Sequence, residues 1–461
     1  VGEERLPCLL WERLELLFPA AAPVTAGESR LAAPASALEL AGESPRLAAA
    51  LRAVSGYGER VDRVEQAARW RRGSLSPAGV RALYGPVVGM SATRLDLLNS
   101  CHFGYFMRYG LDAKPRRQAA FRPTEYGTFV HAVLEGVLGR AAALGGVKAL
   151  AADGGLRRAL AAQEAERYER EVLSGLEGET ARLRYLFDRM KGAALAVVDS
   201  VAAELAASDF TPARFELGFG RGQELPPVEA ENGVRLSLTG FVDRLDQWEH
   251  EGRRYLRVVD YKTGKKSFDF SDVEDGRGLQ MLLYLFALKK YGAAALGPGE
   301  IVPAGVLYVP ARTPLLDGDR TMTDAQVAAG RDRLLRRQGL VLDDPAVLSA
   351  MEHTDGPYRF LPVAEGRGRG DYLVSAEQME ALDEYITDAL TAAAGELAKG
   401  NIAADPYWHD GNRNACRWCE YRAACHFESA CGDVKRRRKG VSSGEFWAWM
   451  ARRKEGEDHG L

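Results

Sequence analysis

Four cysteines, one near the front of this 461-residue chain and three near its back, constrain the fold more than any other feature. Cys101 stands alone, whereas Cys416, Cys419 and Cys425 form a C-x2-C-x5-C cluster. A C-x2-C pair is a common zinc-binding element, and thiolates equally hold iron–sulfur groups. If Cys101 joins the cluster, the two ends of everything between them must meet in space. The chain has six cysteines, too few for a disulfide scaffold at this length. In a reducing compartment a clustered subset acts as metal ligands. Cys431 lies close enough to exchange with Cys425 but is expected to be free, and Cys8 is expected to be an ordinary thiol.

The hydrophobic fraction of 46% and charged fraction of 27% are those of an ordinary globular protein. No apolar run approaches the ~20 residues needed to span a bilayer, and no signal peptide is visible. The expectation is a cytoplasmic protein without a membrane partner. A net charge of -3 excludes a uniformly basic nucleic-acid binder, but a local basic cleft is sufficient to hold phosphates. The first residue is Val, and the opening stretch lacks a domain-starting pattern, so the expectation is the C-terminal portion of a longer polypeptide, with an alternative start codon as the other reading.

Residues 1–18 have the pattern of a short amphipathic helix (Leu9, Leu10, Leu14, Leu17), followed by an Ala/Pro/Ser-rich linker to about residue 48 and a charged helical segment to about residue 75. Ser91 opens an N-cap-like helix that delivers Cys101 at its end. Residues 124–138 and 155–207 are helical in pattern. The period then changes, and stretches 214–220, 234–242 and 255–261 predict three antiparallel strands. A helix over 279–291, a buried strand over 304–310, loops and short helices over 311–372, and a long helix over 376–399 complete the order. The fold class is α/β, a mixed sheet flanked by helices with helical insertions.

Candidate chemistry clusters around those strands. Asp260 and Lys262 are two apart in one strand and therefore face the same side, where Asp243 on the neighbouring strand can meet them. Paired carboxylates at a strand edge suit Mg2+ or Mn2+, and an adjacent lysine can orient or deprotonate an attacking water. Alone, this stretch reads equally well as a strand ending in a glycine turn. His131 and Glu135 share one helix face, as do Gln280 and Tyr284. Each pair alone is an ordinary helix face. Lys265-Lys266-Ser267 lacks the upstream glycine of a phosphate-binding loop, Val259 standing there instead, so it supports no nucleotide site. The run Lys435–Lys439 reads as a basic tail, either solvated or gripping phosphates or a partner.

The conjunction is more specific than its parts. Gly127-Thr-Phe-Val-His131 with Glu135, then Gly240-Phe-Val-Asp243, then Val-Asp260-Tyr-Lys262, then Gln280-x3-Tyr284, in this order, resembles the RecB-type branch of the PD-(D/E)XK nucleases. The resemblance implies a restriction-endonuclease-like core, with His131, Asp243 and Asp260 as Mg2+ ligands (Mn2+ possible). It makes Lys262 catalytic alongside the two aspartates, with Gln280 and Tyr284 completing the site. Glu216 is a weaker acidic candidate and Asp246 a structural one. A lone cysteine before such a core and C-x2-C-x5-C after it resembles the iron–sulfur nucleases. This implies Cys101, Cys416, Cys419 and Cys425 as ligands of a 4Fe–4S cluster that staples the two ends of the domain, with zinc as the alternative.

Segments 303–312, 339–344, 350–352 and 416–425 extend the likeness to the AddB family of helicase–nuclease proteins. It implies the end of a helicase-like region and linker over 1–88, a nuclease domain with its iron–sulfur cluster over 89–430, and a basic tail over 431–461. It further implies an AddA-type partner, a single strand from an unwound duplex end as substrate, and exonucleolytic cleavage of the 5′-terminated strand during double-strand-break processing for recombination. A stand-alone or CRISPR-adaptation exonuclease and a non-catalytic DNA-end-binding scaffold are the alternatives.

Overall fold

The computed structural model describes residues 9–19, 28–69, 71–114, 123–173, 181–264, 266–313, 316–318, 321–363 and 372–454. Cys8 and Lys265 lie outside them. The chain divides into two compact units, Val1–Arg72 with Glu428–Asp433, and Gly73–Phe427 with Val434–Leu461. Among the described residues no helix is long and apolar enough to cross a membrane.

The smaller unit is helical. Pro34–Glu43, Pro45–Arg52 and Gly58–Arg69 close on a small core of Ala41, Ala48 and Val61. Ser44 caps the second helix, its hydroxyl accepting from Leu47 N at 3.5 Å. The buried Arg72–Asp433 ion pair, 2.9 Å, ties in the returning segment that carries Cys431.

The larger unit holds a six-stranded mixed sheet in the order β2 (Thr211–Phe219), β5 (Gly240–His250), β6 (Arg253–Lys262), β7 (Glu300–Pro310), β8 (Gln338–Leu342), β9 (Leu373–Val374). β2, β5 and β6 run antiparallel, and β6 and β7 run parallel. A parallel neighbour needs a crossover, and the helix Gln280–Tyr291 lies within it. The β5–β6 turn is two residues, Glu251 (φ 50°) and Gly252 (φ 77°). Positive φ at both positions is what a tight hairpin matching strand twist requires.

One sheet face packs Val258, Val306 and Leu340 against the helices Gln280–Tyr291 and Ala376–Ala398. The other packs Val259, Leu307 and Val341 against Pro123–Gly139, Gly154–Glu171 and Ala181–Ala206. Strands buried on both faces read as continuous apolar runs rather than alternating ones.

Two sequence expectations change here. The strand expected over 234–242 is two: β4 (Arg235–Leu238) joins β1 (Val87–Met90) and β3 (Val228–Glu231) in a separate small sheet, and the chain turns at Thr239 before β5 begins. The region expected as loops and short helices contains β8, whose five residues are too few for periodicity to identify. The basic run is also no free tail. Arg436 Nη2 donates to Asn99 O at 2.7 Å, Arg438 Nε lies 2.8 Å from Asp275 Oδ1, and β11 (Arg436–Arg437) pairs with β10 (Tyr407–Trp408). The helix Ser443–Lys454 buries Phe446, Trp449 and Met450 in the larger unit's core, because their i, i+3, i+4 spacing gives it an apolar face.

Candidate functional site

The candidate site sits at the Lys262 end of β6, where the two helical layers meet around the sheet. The β5–β6 register pairs Arg244 with Val259, which sets Asp243 across from Asp260. β2 and β5 pair Leu217 with Val242 and Phe215 with Arg244, yet Leu217 and Val242 belong to one core while Phe215 packs against the other. The strand pair therefore switches face at Glu216 and Asp243. Glu216 takes up the switch with φ 47°, a left-handed backbone uncommon outside glycine and often retained at functional positions.

The switch brings together groups that a regular ladder would keep apart. Ligand atoms of His131, Glu216 and Asp243 all lie within 4.8 Å of one another. His131 comes from the helix Pro123–Gly139, with Nδ1 3.6 Å from Asp243 Oδ2 and Nε2 3.0 Å from the Tyr261 carbonyl oxygen. The Tyr261 N–H donates to Asp243 Oδ2 at 2.9 Å. Asp260 is 3% exposed; Lys262 Nζ stands 2.7 Å from its Oδ2, an ion pair rather than a well-angled hydrogen bond. Gln280 bridges that pair: its Nε2 donates to Asp260 Oδ1 at 3.3 Å, and its Oε1 accepts from Lys262 Nζ at 3.5 Å. The Tyr284 hydroxyl lies 3.5 Å from Gln280 Nε2. It presses so close to Gly240 that a Cβ there would come within 2.6 Å, so the start of β5 needs glycine.

These acids repel one another. Burial, then Asp243, push the Glu216 carboxyl up to about 7, with Glu135 and Asp260 adding to the effect and His131 opposing it. Burial and Asp243 raise Asp260 to about 6 against the pull of Lys262. Such a set of oxygen and imidazole donors fits a hard divalent cation, which supplies the missing positive charge. Because both folded-state values are raised, their contribution to stability is present at low pH and is lost as pH rises through about 6 to 7. A divalent cation competes with those protons. The rise in melting temperature on adding Mg2+ is therefore expected to be larger near pH ~8 than near pH ~5. Equal thermal shifts at the two pH values would count against this acid cluster as the cation site.

Asp246 lies apart from these groups, fully buried on β5 among arginines. Glu216, the weaker candidate in the sequence, is a member of the tight triad, whereas Asp260 stands with Lys262 and Gln280. Sequence reasoning missed the main chain of Tyr261 altogether, since no side-chain pattern reports a peptide group.

Cys101, Cys416, Cys419 and Cys425 line one cavity of about 590 Å³. Ser91 accepts from Arg94 N at 3.3 Å to start the helix Ala92–Ser100, and Cys101 is the residue that ends it. The Asn414 side chain accepts from the N–H groups of both Cys416 and Arg417, at 3.0 and 2.9 Å, shaping the turn into C-x2-C. Burial pushes the Cys101 thiol up to about 12, with the charges of Asp405 and Cys425 adding to it. Burial and the neighbouring Cys419 and Cys425 raise Cys416. Four converging thiols that disfavour one another's ionisation fit a metal centre.

Residues 89–426 match the family described as the PD-(D/E)XK nuclease superfamily. The chain is also similar to proteins named as the B subunit of an ATP-dependent helicase/deoxyribonuclease. That of Acetivibrio thermocellus is 30% identical over 393 residues, 83% of this chain and 34% of the relative. That of Desulforudis audaxviator is 32% identical over 395 residues, 84% of this chain and 34% of the relative. That of Clostridium novyi is 29% identical over 390 residues, 83% and 34%. The chain thus spans about a third of the length of the curated relatives it matches.

Proposed function

The chain belongs to the PD-(D/E)XK nuclease superfamily, and on that premise we propose that its larger unit is a metal-dependent deoxyribonuclease. The observation that carries this reading is the His131–Glu216–Asp243 triad beside the Asp260–Lys262 pair on the adjoining strand. His131, Asp243 and Asp260, with Glu216, would hold Mg2+, or Mn2+ in its place. When bound, the ion supplies Lewis-acid polarisation of the phosphate and a more acidic water.

The chain's own groups do the rest. Lys262, as the ammonium ion-paired with Asp260, orients the attacking water and offsets charge on the scissile phosphate. Gln280 holds Lys262 and Asp260 in mutual register, and Tyr284 backs Gln280. Tyr284 stays protonated, pushed up to about 12 by burial, and so can donate but not act as a base near neutral pH. Phe241 is half exposed two residues before Asp243, and such a ring offers a stacking face to an unpaired base.

Similarity to the helicase/deoxyribonuclease relatives supports a finer reading. In it this chain is the nuclease portion of an AddAB-type helicase–nuclease, paired with an AddA-type partner and acting exonucleolytically on single-stranded DNA unwound from a broken duplex end. The 5′-terminated strand is the one cleaved, in preparation for recombination. The four thiols hold a 4Fe–4S cluster. This assignment rests on the likeness of the Cys101…C-x2-C-x5-C arrangement to the iron–sulfur nucleases and on the four thiols lining one cavity.

The test is Mg2+-dependent degradation of 5′- against 3′-labelled single-stranded DNA. Preferential loss from the 5′-terminated strand supports the full reading. Degradation without preference retains the nuclease and removes the polarity. An inactive protein with a fully loaded cluster would instead favour a DNA-end-binding scaffold.

A further inference from the structure

Beside the candidate site, on the sheet face covered by Pro123–Gly139 and Ala181–Ala206, lies a buried network of five charged side chains. Arg244, Asp246, Arg257 and Arg337 are each 0% exposed and Glu204 is 2% exposed. Arg337 donates twice to Glu204 Oε2, at 2.9 and 2.7 Å. Arg257 Nε donates to Asp246 Oδ2 at 2.8 Å, and Arg244 Nη2 to the same oxygen at 3.1 Å. Burial works to raise the Glu204 carboxyl, but Arg337, Arg244 and Arg257 outweigh it and hold it at about 2. Both acids are thus engaged by guanidinium groups, and three cations face two anions. Arg257 Nη2 lies 3.3 Å from Glu204 Oε1 as an ion pair, and its Nη1 finds no hydrogen-bond acceptor among the described residues. An interior that buries a surplus positive charge needs compensation nearby. Glu216, Asp243 and Asp260 on the site side carry the opposite surplus.

One residue joins the two assemblies. Arg244 Nη1 donates to the Tyr261 hydroxyl at 2.9 Å, and the guanidinium carbon lies 5.6 Å from the ring centroid. The same tyrosine gives its N–H to Asp243 Oδ2 at 2.9 Å and receives His131 Nε2 at its carbonyl at 3.0 Å. Its ring meets the His131 ring edge-on, centroids 5.6 Å apart. The side chain is therefore anchored to the buried arginines while its peptide groups hold two members of the triad.

We propose that Tyr261 and Arg244 are positioning residues of the cation site. The arginine network fixes the tyrosine hydroxyl, the fixed tyrosine aims its N–H and carbonyl at Asp243 and His131, and the network's surplus charge lets three acids gather next to it. Outer groups that orient ligands in this way are worth about 10–100-fold in metal affinity. This inference rests on the metal-site reading of the proposed function.

The experiment measures Mn2+ binding to the whole chain by electron paramagnetic resonance, without DNA, for the wild type, Tyr261→Phe and Arg244→Lys. Tyr261→Phe deletes only the anchoring oxygen. It is expected to fold, with a lower urea midpoint because buried Arg244 Nη1 loses its acceptor, and, in the folded state, to bind Mn2+ about ten-fold more weakly. Arg244→Lys keeps the charge but also removes the guanidinium–hydroxyl anchor, and its folded form is expected to lose Mn2+ affinity to a similar extent. Wild-type affinity in folded Tyr261→Phe would overturn the inference while leaving the metal site intact. A wild type that binds no Mn2+ would remove the metal-site reading itself, a separate and recognisable failure.

Discussion

Replacing Lys262 by alanine is expected to lower the single-turnover rate of Mg2+-dependent DNA hydrolysis by about 10²–10³-fold, the usual cost of deleting one group that stabilises developing charge. Lys262 Nζ stands 2.7 Å from Asp260 Oδ2, and Gln280 Oε1 holds it from the helix side. The ammonium thus projects from the end of β6 beside the triad but belongs to neither ligand set. Removing it takes one positive charge from an acidic site, so Mg2+ and Mn2+ should bind at least as tightly as before. The expected signature is therefore specific, a lost rate with retained metal binding and retained fold. Gln280→Ala should give a smaller loss, because it removes a bridge to both groups but leaves the direct Lys262–Asp260 ion pair in place. Measured single-turnover rates that match the wild type in Lys262→Ala would place the chemistry elsewhere.

The second large effect is expected from Cys101→Ala. The other three thiols come from one short stretch, whereas Cys101 alone ties that stretch to the front of the domain. A cross-link closing so long a loop restricts the unfolded chain by an amount on the order of 5 kcal/mol in the chain-entropy treatment. Losing it should lower the urea midpoint of the larger unit sharply, even where some cluster persists on the remaining three cysteines. Cys419→Ala disrupts the cluster itself and should abolish the brown absorbance as well as the stability. The measurement pairs iron content and visible absorbance with urea unfolding, all under anaerobic conditions. A colourless, zinc-loaded wild type would sink the iron–sulfur assignment, and an unchanged midpoint in Cys101→Ala would sink the staple.

The parts of the fold that were legible are those in which a local pattern carries the information. The long helix Ala376–Ala398 announces itself through apolar periodicity and a Ser375–Gln378 capping box, with Ser375 N donating to Gln378 Oε1 at 2.9 Å. β6 (Arg253–Lys262) shows in its apolar run, whereas most of β5 lies beyond the strand expected over 234–242. β8 and β9 did not show, because five and two residues buried in a sheet leave no period to read. Nor did the division of the stretch 234–242 between two sheets, since pairing partners are chosen by contacts remote in sequence. The basic run was misleading for a related reason. Charge composition does not report that Arg436 and Arg438 are hydrogen-bonded and ion-paired within the fold.

For the candidate site the same line can be drawn residue by residue. Residue order alone supplies the chemical types and their local offsets: Asp260 and Lys262 two apart on a strand, Gln280 and Tyr284 four apart on a helix, and three thiols in one short loop. Strand and helix periodicity make those offsets equivalent to shared faces. Folding is what joins Glu216 to His131 and Asp243, because that depends on a left-handed backbone at φ 47° and a change of face between two strands. Folding likewise brings Cys101 into one cavity with Cys416, Cys419 and Cys425. It also makes Tyr261 the link between a buried arginine network and the site. Hydrogen bonds made by a peptide group leave no mark on residue type, so a sequence cannot carry them.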